Sequence, residues 1–178
     1  MCGIIGIITT HKRTLIPNVI SSLRDLEYRG YDSAGVGFIA DGHIKTYKCL
    51  GAPSENLHAE DIYAKTKLTD RKITTIIGHN RWATHGKPSI KNAHPHVDCT
   101  ERIALVHNGT ILNFETLKAD LEKNGHHFVS DTDTEVIAHA IEEALTHHDS
   151  FAEAFLAALG IRPHENAWGH GVSMPKFC

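Results

Sequence analysis

The second residue of the chain is a cysteine, in the opening run Met1-Cys2-Gly3. Removal of the initiator methionine would give Cys2 both a thiol and a free α-amine. An α-amine with a pKa of about 7.7 to 8.0 is partly unprotonated at neutral pH and can accept the proton of a thiol. N-terminal threonine hydrolases combine nucleophile and base in this way. The alternative is that Cys2 is only a small apolar residue that begins a strand.

Further along the chain, polar segments lie where predicted strands end and loops begin. Loops at strand ends are the places where a rigid scaffold displays functional groups. Each segment supplies a group that amide hydrolysis at an N-terminal thiol would need. The segments are residues 29–35, 78–86, 107–110 and 130–134.

Four residues in these segments suit the hydrolysis of an amide on an α-amino acid. Thiolate attack on an amide creates an oxyanion, and Asn108 and Gly109 can offer it a side-chain amide and a backbone N–H. The substrate carboxylate would be held by the planar guanidinium of Arg81, and its ammonium by the carboxylate of Asp133.

Each assignment has a structural alternative. Asn108-Gly109 is typical of a turn, Asp133 of a helix cap, and Arg81 of an exposed ion pair. Trp82 suits a core position, and His85 suits a hydrogen-bonded site near a strand end.

The apolar pattern predicts strands early in the chain and helices later. Gly3 to Ile8 is predicted as a buried strand, and an Asp41-Gly42 turn is predicted to join two strands in a hairpin. Further strands are predicted at residues 73–77 and 103–106, with residues 51–72 mostly loop. Helical spacing is found from Ile16 to Leu26 and in three later stretches, which begin near Asn113, Thr132 and Ser150. The last two carry capping-box spacing. Without regular strand–helix alternation, the pattern predicts an α+β class.

Composition limits the kind of protein. The chain has 178 residues, 41% hydrophobic and 22% charged, with a net charge of −3. This balance gives no general attraction to nucleic acid or to anionic membranes, and no apolar stretch is long enough to span a bilayer. The four cysteines lack paired spacing, so we expect reduced thiols and a cytoplasmic location. Despite 15 histidines, no metal-binding spacing is found, so no metal and no cofactor are expected.

Six motifs in order resemble the glutaminase domains of class II glutamine amidotransferases of the N-terminal nucleophile type, in their glucosamine-6-phosphate synthase branch. Tyr31 and Trp82 favour this branch, because other branches differ at those loops. The resemblance extends from Cys2 to about Gly160. The motifs are Cys2-Gly3-Ile4, residues 27–35, residues 81–86, His94-Pro95-His96, His107-Asn108-Gly109 and residues 132–135.

The resemblance implies a four-layer αββα sandwich and a role for each site residue. Cys2 would be the nucleophile, with its α-amine as general base, and Asn108 and Gly109 would form the oxyanion hole. Arg81 would hold the carboxylate of L-glutamine, and Asp133 its ammonium. Three further residues would line the pocket. These are Trp82, Thr84 and His85.

The end of the chain departs from this pattern. We expect a glutaminase domain over residues 1–160, a divergent or truncated tail over residues 161–178, and no sugar isomerase domain. Fructose 6-phosphate would then be reached only through a missing domain or a partner, and a homodimer is left open. A second hypothesis is a non-catalytic module that binds glutamine but is inactive because its C-terminus is shortened.

Overall fold

The computed structural model describes residues 2–83 and 86–160. The described chain divides into two compact units. The first contains the residues up to His96 together with Ala104–Asn108, and the second contains Val97–Ile103 together with the residues from Gly109 onward.

The first unit is built on an antiparallel sheet with the strand order β1-β4-β2-β3. Both outer members of the β1–β4 pair run past their predicted ends. Strand β1 continues beyond Ile8 because Arg13 pairs with Ile73 after an irregularity. Hydrogen bonding to a long partner therefore sets strand length here, rather than apolar character alone. The strands are β1 (Gly3–Arg13), β2 (Ser33–Ala40), β3 (His43–Leu50) and β4 (Ile73–Arg81).

The predicted hairpin is confirmed. Strands β2 and β3 pair from Ser33 opposite Leu50 to Ala40 opposite His43, and the connection is Asp41-Gly42. The φ angles of Asp41 and Gly42 are 52° and 77°, which is the left-handed pair that a type I′ turn requires.

Helix α1 (Ile16–Asp25) supplies the apolar face that packs against β1 and β4. Pro17 lies in its first turn, as predicted, because a proline there breaks no intrahelical hydrogen bond. Gly78 of β4 permits the close approach, since a Cβ at that position would lie 2.8 Å from a methyl group of Val19. A single 3₁₀ turn spans Glu27–Arg29, and two short helices follow the hairpin, α2 (Pro53–Asn56) and α3 (Ala59–Thr66).

The second unit is mainly helical. Its helices are α4 (Phe114–Lys123), α5 (Glu135–Ala144) and α6 (Phe151–Ala158), and α5 packs against both others. All three were predicted. A small two-stranded sheet joins β5 (His96–Val97), which was not predicted, to β6 (Ala104–Leu105), which is shorter than the predicted strand.

The two predicted capping boxes are wrong. Helix α5 begins after Thr134, whose side chain makes no capping hydrogen bond, and Ser150 makes none at α6. The Glu135 carboxylate instead accepts hydrogen bonds from the backbone N–H groups of Val129 and Ser130, at 2.8 and 2.6 Å. It therefore fixes the loop before α5.

Antiparallel strands followed by separate helices fit the predicted α+β class. Within the described residues, no helix is both long and apolar enough to cross a membrane. The short strand expected near Trp168 lies outside the described residues.

Candidate active site

Strand pairing brings Cys2 to the end of β4. Gly3 lies opposite Asn80 in the β1–β4 ladder, so the residue before Gly3 meets the residues that leave β4. The backbone N–H of Trp82 donates a hydrogen bond to Cys2 Sγ at 3.2 Å. A donated N–H stabilises the thiolate form of a cysteine, which is its nucleophilic form.

The side chain of Asn108 lies against the same residue. Its Nδ2 donates to the carbonyl oxygen of Cys2 at 3.0 Å, and its Oδ1 lies 3.0 Å from Nε2 of His79. A carbonyl can only accept, so the NH₂ group of Asn108 must face Cys2 and its oxygen must face His79. His79 thus fixes the orientation of an amide donor beside the thiol.

His79 belongs to a stack of histidine rings on one face of β4. Its ring lies 4.0 Å from that of His94 at an angle of 11°, and His94 meets the ring of His96 edge-on at 4.6 Å. Burial lowers the pKa of His79 to about 4, against hydrogen bonds that act to raise it, and burial lowers the pKa of His94 further. Both rings are therefore neutral at pH 7, and the single N–H of His79 is on the Nε2 that faces Asn108.

This stack predicts a loss of stability in mild acid. His79 binds a proton more weakly when folded than when unfolded, so its contribution is complete above about pH 6.5 and is lost as the pH falls toward 4. Between pH 7.5 and pH 5 we expect the free energy of unfolding to fall by about 2 kcal/mol from His79 alone. Urea unfolding of the full chain at the two pH values measures it.

The matched control for this prediction is His79→Gln, which keeps a side-chain N–H but does not titrate. Carboxylates titrate mostly below pH 5, so they contribute little in this window. The variant should lose clearly less stability than the wild type between the two pH values. An equal loss in both proteins would contradict the assignment to His79.

Residues 29–35 support the site from below. A Cβ on Gly30 would lie 2.7 Å from the backbone carbon of Arg81, so only glycine allows this close approach. The Asp32 carboxylate accepts a hydrogen bond from the N–H of Ala83 at 2.7 Å, and the Tyr31 ring packs edge-on against Trp82 at 5.6 Å. The motif thus holds the backbone that donates to Cys2.

Arg81 ends β4 opposite Ser33 of β2 and is only 4% exposed. Its Nη2 donates to the carbonyl oxygen of Gly86 at 3.3 Å. The alternative of an exposed ion pair is therefore wrong. Trp82 is 45% exposed, so its alternative as a core residue is wrong as well.

Two predicted site residues, Gly109 and Asp133, belong to the second unit. Gly109 has a φ of 149°, which favours glycine. Asp133 is buried, and its carboxylate accepts a hydrogen bond from the N–H of Ile111 at 2.7 Å, so its interpretation as a cap of α5 is not supported. Thr84 and His85 lie outside the described residues.

Comparison with known proteins decides the family. Residues 63–153, more than half of the chain, match the family described as "Glutamine amidotransferase domain". The chain belongs to this family. The predicted enzyme class, glutamine amidotransferase, is thereby confirmed.

Curated relatives of this amidotransferase domain carry the name glutamine–fructose-6-phosphate aminotransferase (isomerizing). The Sulfolobus acidocaldarius protein is 46% identical over 80% of the chain, and the Pyrococcus horikoshii protein is 47% identical over 89%. The domain covers 23% and 25% of those two proteins, so it spans about a quarter of their length.

Solved structures confirm the predicted α+β fold class. The glutamine phosphoribosylpyrophosphate amidotransferase of B. subtilis, in complex with ADP and GMP, is similar with a TM-score of 0.68 and 26% identity. A structure titled as the allosteric regulatory enzyme of purine biosynthesis gives 0.70, also at 26% identity. In both, the likeness covers 90% of this amidotransferase domain and 33% of the solved chain.

Proposed function

We propose that this chain hydrolyses L-glutamine to L-glutamate and ammonia, with Cys2 as the nucleophile. The observation that carries the proposal is the contact set at Cys2. Its sulfur receives the N–H of Trp82, and the oriented NH₂ of Asn108 lies against its carbonyl group. A thiol and an amide donor are thus adjacent, as attack on an amide requires.

The reaction that fits these groups proceeds in two steps. The α-amine of Cys2 accepts the thiol proton, Sγ bonds to the side-chain amide carbon of glutamine, and the oxyanion receives the Asn108 amide and the Gly109 N–H. The amine then returns the proton to the leaving nitrogen, the C–N bond breaks and ammonia departs. Water attacks the resulting thioester, and the C–S bond breaks to give glutamate and the free thiol. The α-amine exists only if Met1 is removed.

Charge and burial support roles for two further residues. Arg81 offers a planar guanidinium that is buried, where a bidentate contact with the substrate carboxylate would be little screened. We propose that Asp133 holds the substrate ammonium and that Trp82, Thr84 and His85 line the pocket. The three described cysteines are free thiols, and the proposed cytoplasmic location would keep Cys2 reduced.

We further propose that residues 1–160 form the part of a larger system that supplies ammonia for glucosamine 6-phosphate synthesis. The names of the relatives support fructose 6-phosphate as the acceptor. The described residues hold only the proposed glutamine site, so the sugar would be bound by another domain or by a partner protein.

The mass of the intact protein, before and after treatment with an electrophilic glutamine analogue, tests this function. We expect a mass without Met1 that gains one adduct, and we expect excess glutamine to block the adduct. A processed protein that binds glutamine but gains no adduct would favour the non-catalytic module instead. Addition at several cysteines without protection by glutamine would contradict a formed site.

A change of Arg81 to lysine is expected to weaken glutamine binding by about tenfold or more. Lysine keeps the positive charge but loses the planar pair of donors. The effect should appear mainly in KM, because the thiol and its donors are unchanged. Steady-state hydrolysis kinetics measure it, with Arg24→Lys on α1 as the control. An unchanged KM would rule Arg81 out as the carboxylate ligand.

A further inference from the structure

Four side chains of the second unit converge at a place that the glutaminase proposal does not use. Cys99 precedes β6, His126 follows α4, and His139 and Glu142 lie three residues apart on α5. Each offers one ligand atom, and these four atoms lie within 4.8 Å of one another. The two histidine side chains are 8% and 1% exposed, and that of Glu142 is 12% exposed.

The distances suit a single tetrahedral ion. Cys99 Sγ lies 3.8 Å from Nδ1 of His126 and 3.5 Å from Nδ1 of His139. Oε2 of Glu142 lies 3.0 and 3.3 Å from the same two nitrogens. A tetrahedral zinc ion with bonds of about 2.0 to 2.3 Å separates its ligand atoms by roughly 3.3 to 3.8 Å. Only a small inward or outward movement would be needed.

The outer nitrogens of both rings also face carboxylates. Nε2 of His126 lies 3.0 Å from the carboxylate of Glu143, and Nε2 of His139 lies 3.6 Å from that of Glu135. Histidines that bind metals commonly donate their second N–H to a carboxylate, which fixes the tautomer and raises the basicity of the ligating nitrogen.

Protonation alone is a poorer explanation of the cluster. If hydrogen bonds filled every nitrogen–carboxylate contact, both rings would be doubly protonated cations, buried with their centroids 5.3 Å apart. With a divalent cation at the centre, each ring needs a single proton on Nε2, and both Nδ1 lone pairs face the ion. One ion thus satisfies the whole set of acceptors.

Backbone groups hold the two non-histidine ligands in place. The N–H of His127 donates to Cys99 Sγ at 3.4 Å, and the N–H of Cys99 donates to Oε2 of Glu142 at 3.1 Å. Both contacts stabilise negative charge on the ligand atoms, as a thiolate and a carboxylate bound to metal require.

We propose that Cys99, His126, His139 and Glu142 form a structural zinc site. The mixture of thiolate, imidazole and carboxylate suits Zn²⁺, and a complete set of four protein ligands is typical of a structural rather than a catalytic site. On binding, the thiol proton passes to solvent as the Zn–S bond forms. The ion would join α5, the end of α4 and the segment before β6.

This inference goes beyond the proposed function and departs from the expectation of no metal. Cys99 is 27 residues from His126 and 40 from His139, so no short spacing announces the site. Only the fold brings the ligands together.

The test uses the full chain, purified, stripped with chelator and titrated with Co²⁺ and Zn²⁺. We expect one Co²⁺ per chain with a thiolate-to-cobalt charge-transfer band, and Zn²⁺ should displace the Co²⁺ and raise the Tm. Cys99→Ser should abolish the band, whereas Cys2→Ser, the matched control for a thiol elsewhere, should keep it. Loss of the band in Cys2→Ser, or binding that is unchanged in Cys99→Ser, would overturn the proposal.

A second variant guards against misfolding of the first. Glu142→Gln keeps the shape of the side chain and should weaken Zn²⁺ binding at least tenfold while circular dichroism stays unchanged. A folded wild-type chain that binds no Zn²⁺, or that binds it only weakly through surface histidines, would also refute the site. Because Cys2→Ser should lose hydrolysis but keep metal, failure of the glutaminase proposal would be distinguishable.

Discussion

Replacing Cys2 with alanine is expected to lower the rate of glutamine hydrolysis by at least about 10³-fold, because the thioester cannot form without the sulfur. The rate of glutamate release by the purified, processed chain is the measurement. Glutamine binding, followed by calorimetry, should survive within a few fold, since the proposed substrate ligands are untouched. Wild-type turnover by this variant would show that the mechanism is wrong.

Cys49→Ser is the matched control for that experiment. Cys49 is buried in the hydrophobic core, its Sγ lies 3.6 Å from the carbonyl oxygen of Ala34, and burial raises its pKa to about 11. It is therefore a poor nucleophile at neutral pH, and a serine can keep the contact with Ala34. This variant should retain hydrolysis and single labelling by the glutamine analogue, which would locate the reactive thiol at Cys2.

The second large effect is expected at Asn108. In Asn108→Asp the oxygen that faces His79 remains, but the NH₂ group that faces Cys2 becomes a second oxygen. Loss of one oxyanion donor lowers kcat by about 10²- to 10³-fold, and a negative charge beside the oxyanion adds to the loss. KM should change much less, because the donor is needed mainly in the transition state.

Asn56→Asp provides the same chemical change away from the site. Asn56 is exposed, and its Nδ2 contacts only the carbonyl oxygen of Ala52 among the printed hydrogen bonds of that side chain. It should keep full activity. If Asn108→Asp loses activity through KM alone, the oxyanion role is wrong and Asn108 serves substrate binding instead.

The predictable part of the fold is the part encoded locally. Asp41-Gly42 predicts its hairpin because few other dipeptides adopt two positive φ angles in succession, and Pro17 marks the first turn of α1. The ends of β1 and β4 could not be predicted in this way, because each strand continues for as long as its partner supplies hydrogen bonds. The capping boxes failed for a similar reason, since Glu135 finds better donors in the loop before its helix.

The candidate site shows the same division. Cys2, Arg81 and Asn108 could be selected from residue type and motif, but His79 was missed as a positioning residue. A signal was available, because His79 and Arg81 are two residues apart on β4 and must share a face of the sheet. Asn80, between them, points to the other face, where its side chain contacts the carbonyl oxygen of Leu23. The partner of His79 at position 108 could be found only from the fold.

The pairing of β1 with β4 also sets a timetable for the nucleophile during synthesis. Gly3 is paired with Asn80, so 77 residues must be added after Gly3 before its partner exists. At about 5 to 20 residues per second, this takes roughly 4 to 15 seconds. Throughout that interval the Cys2 thiol lacks the N–H of Trp82, and the start of the nascent chain is accessible to an aminopeptidase. Methionine removal thus has a natural window on the ribosome, before the thiol acquires the neighbours that make it reactive.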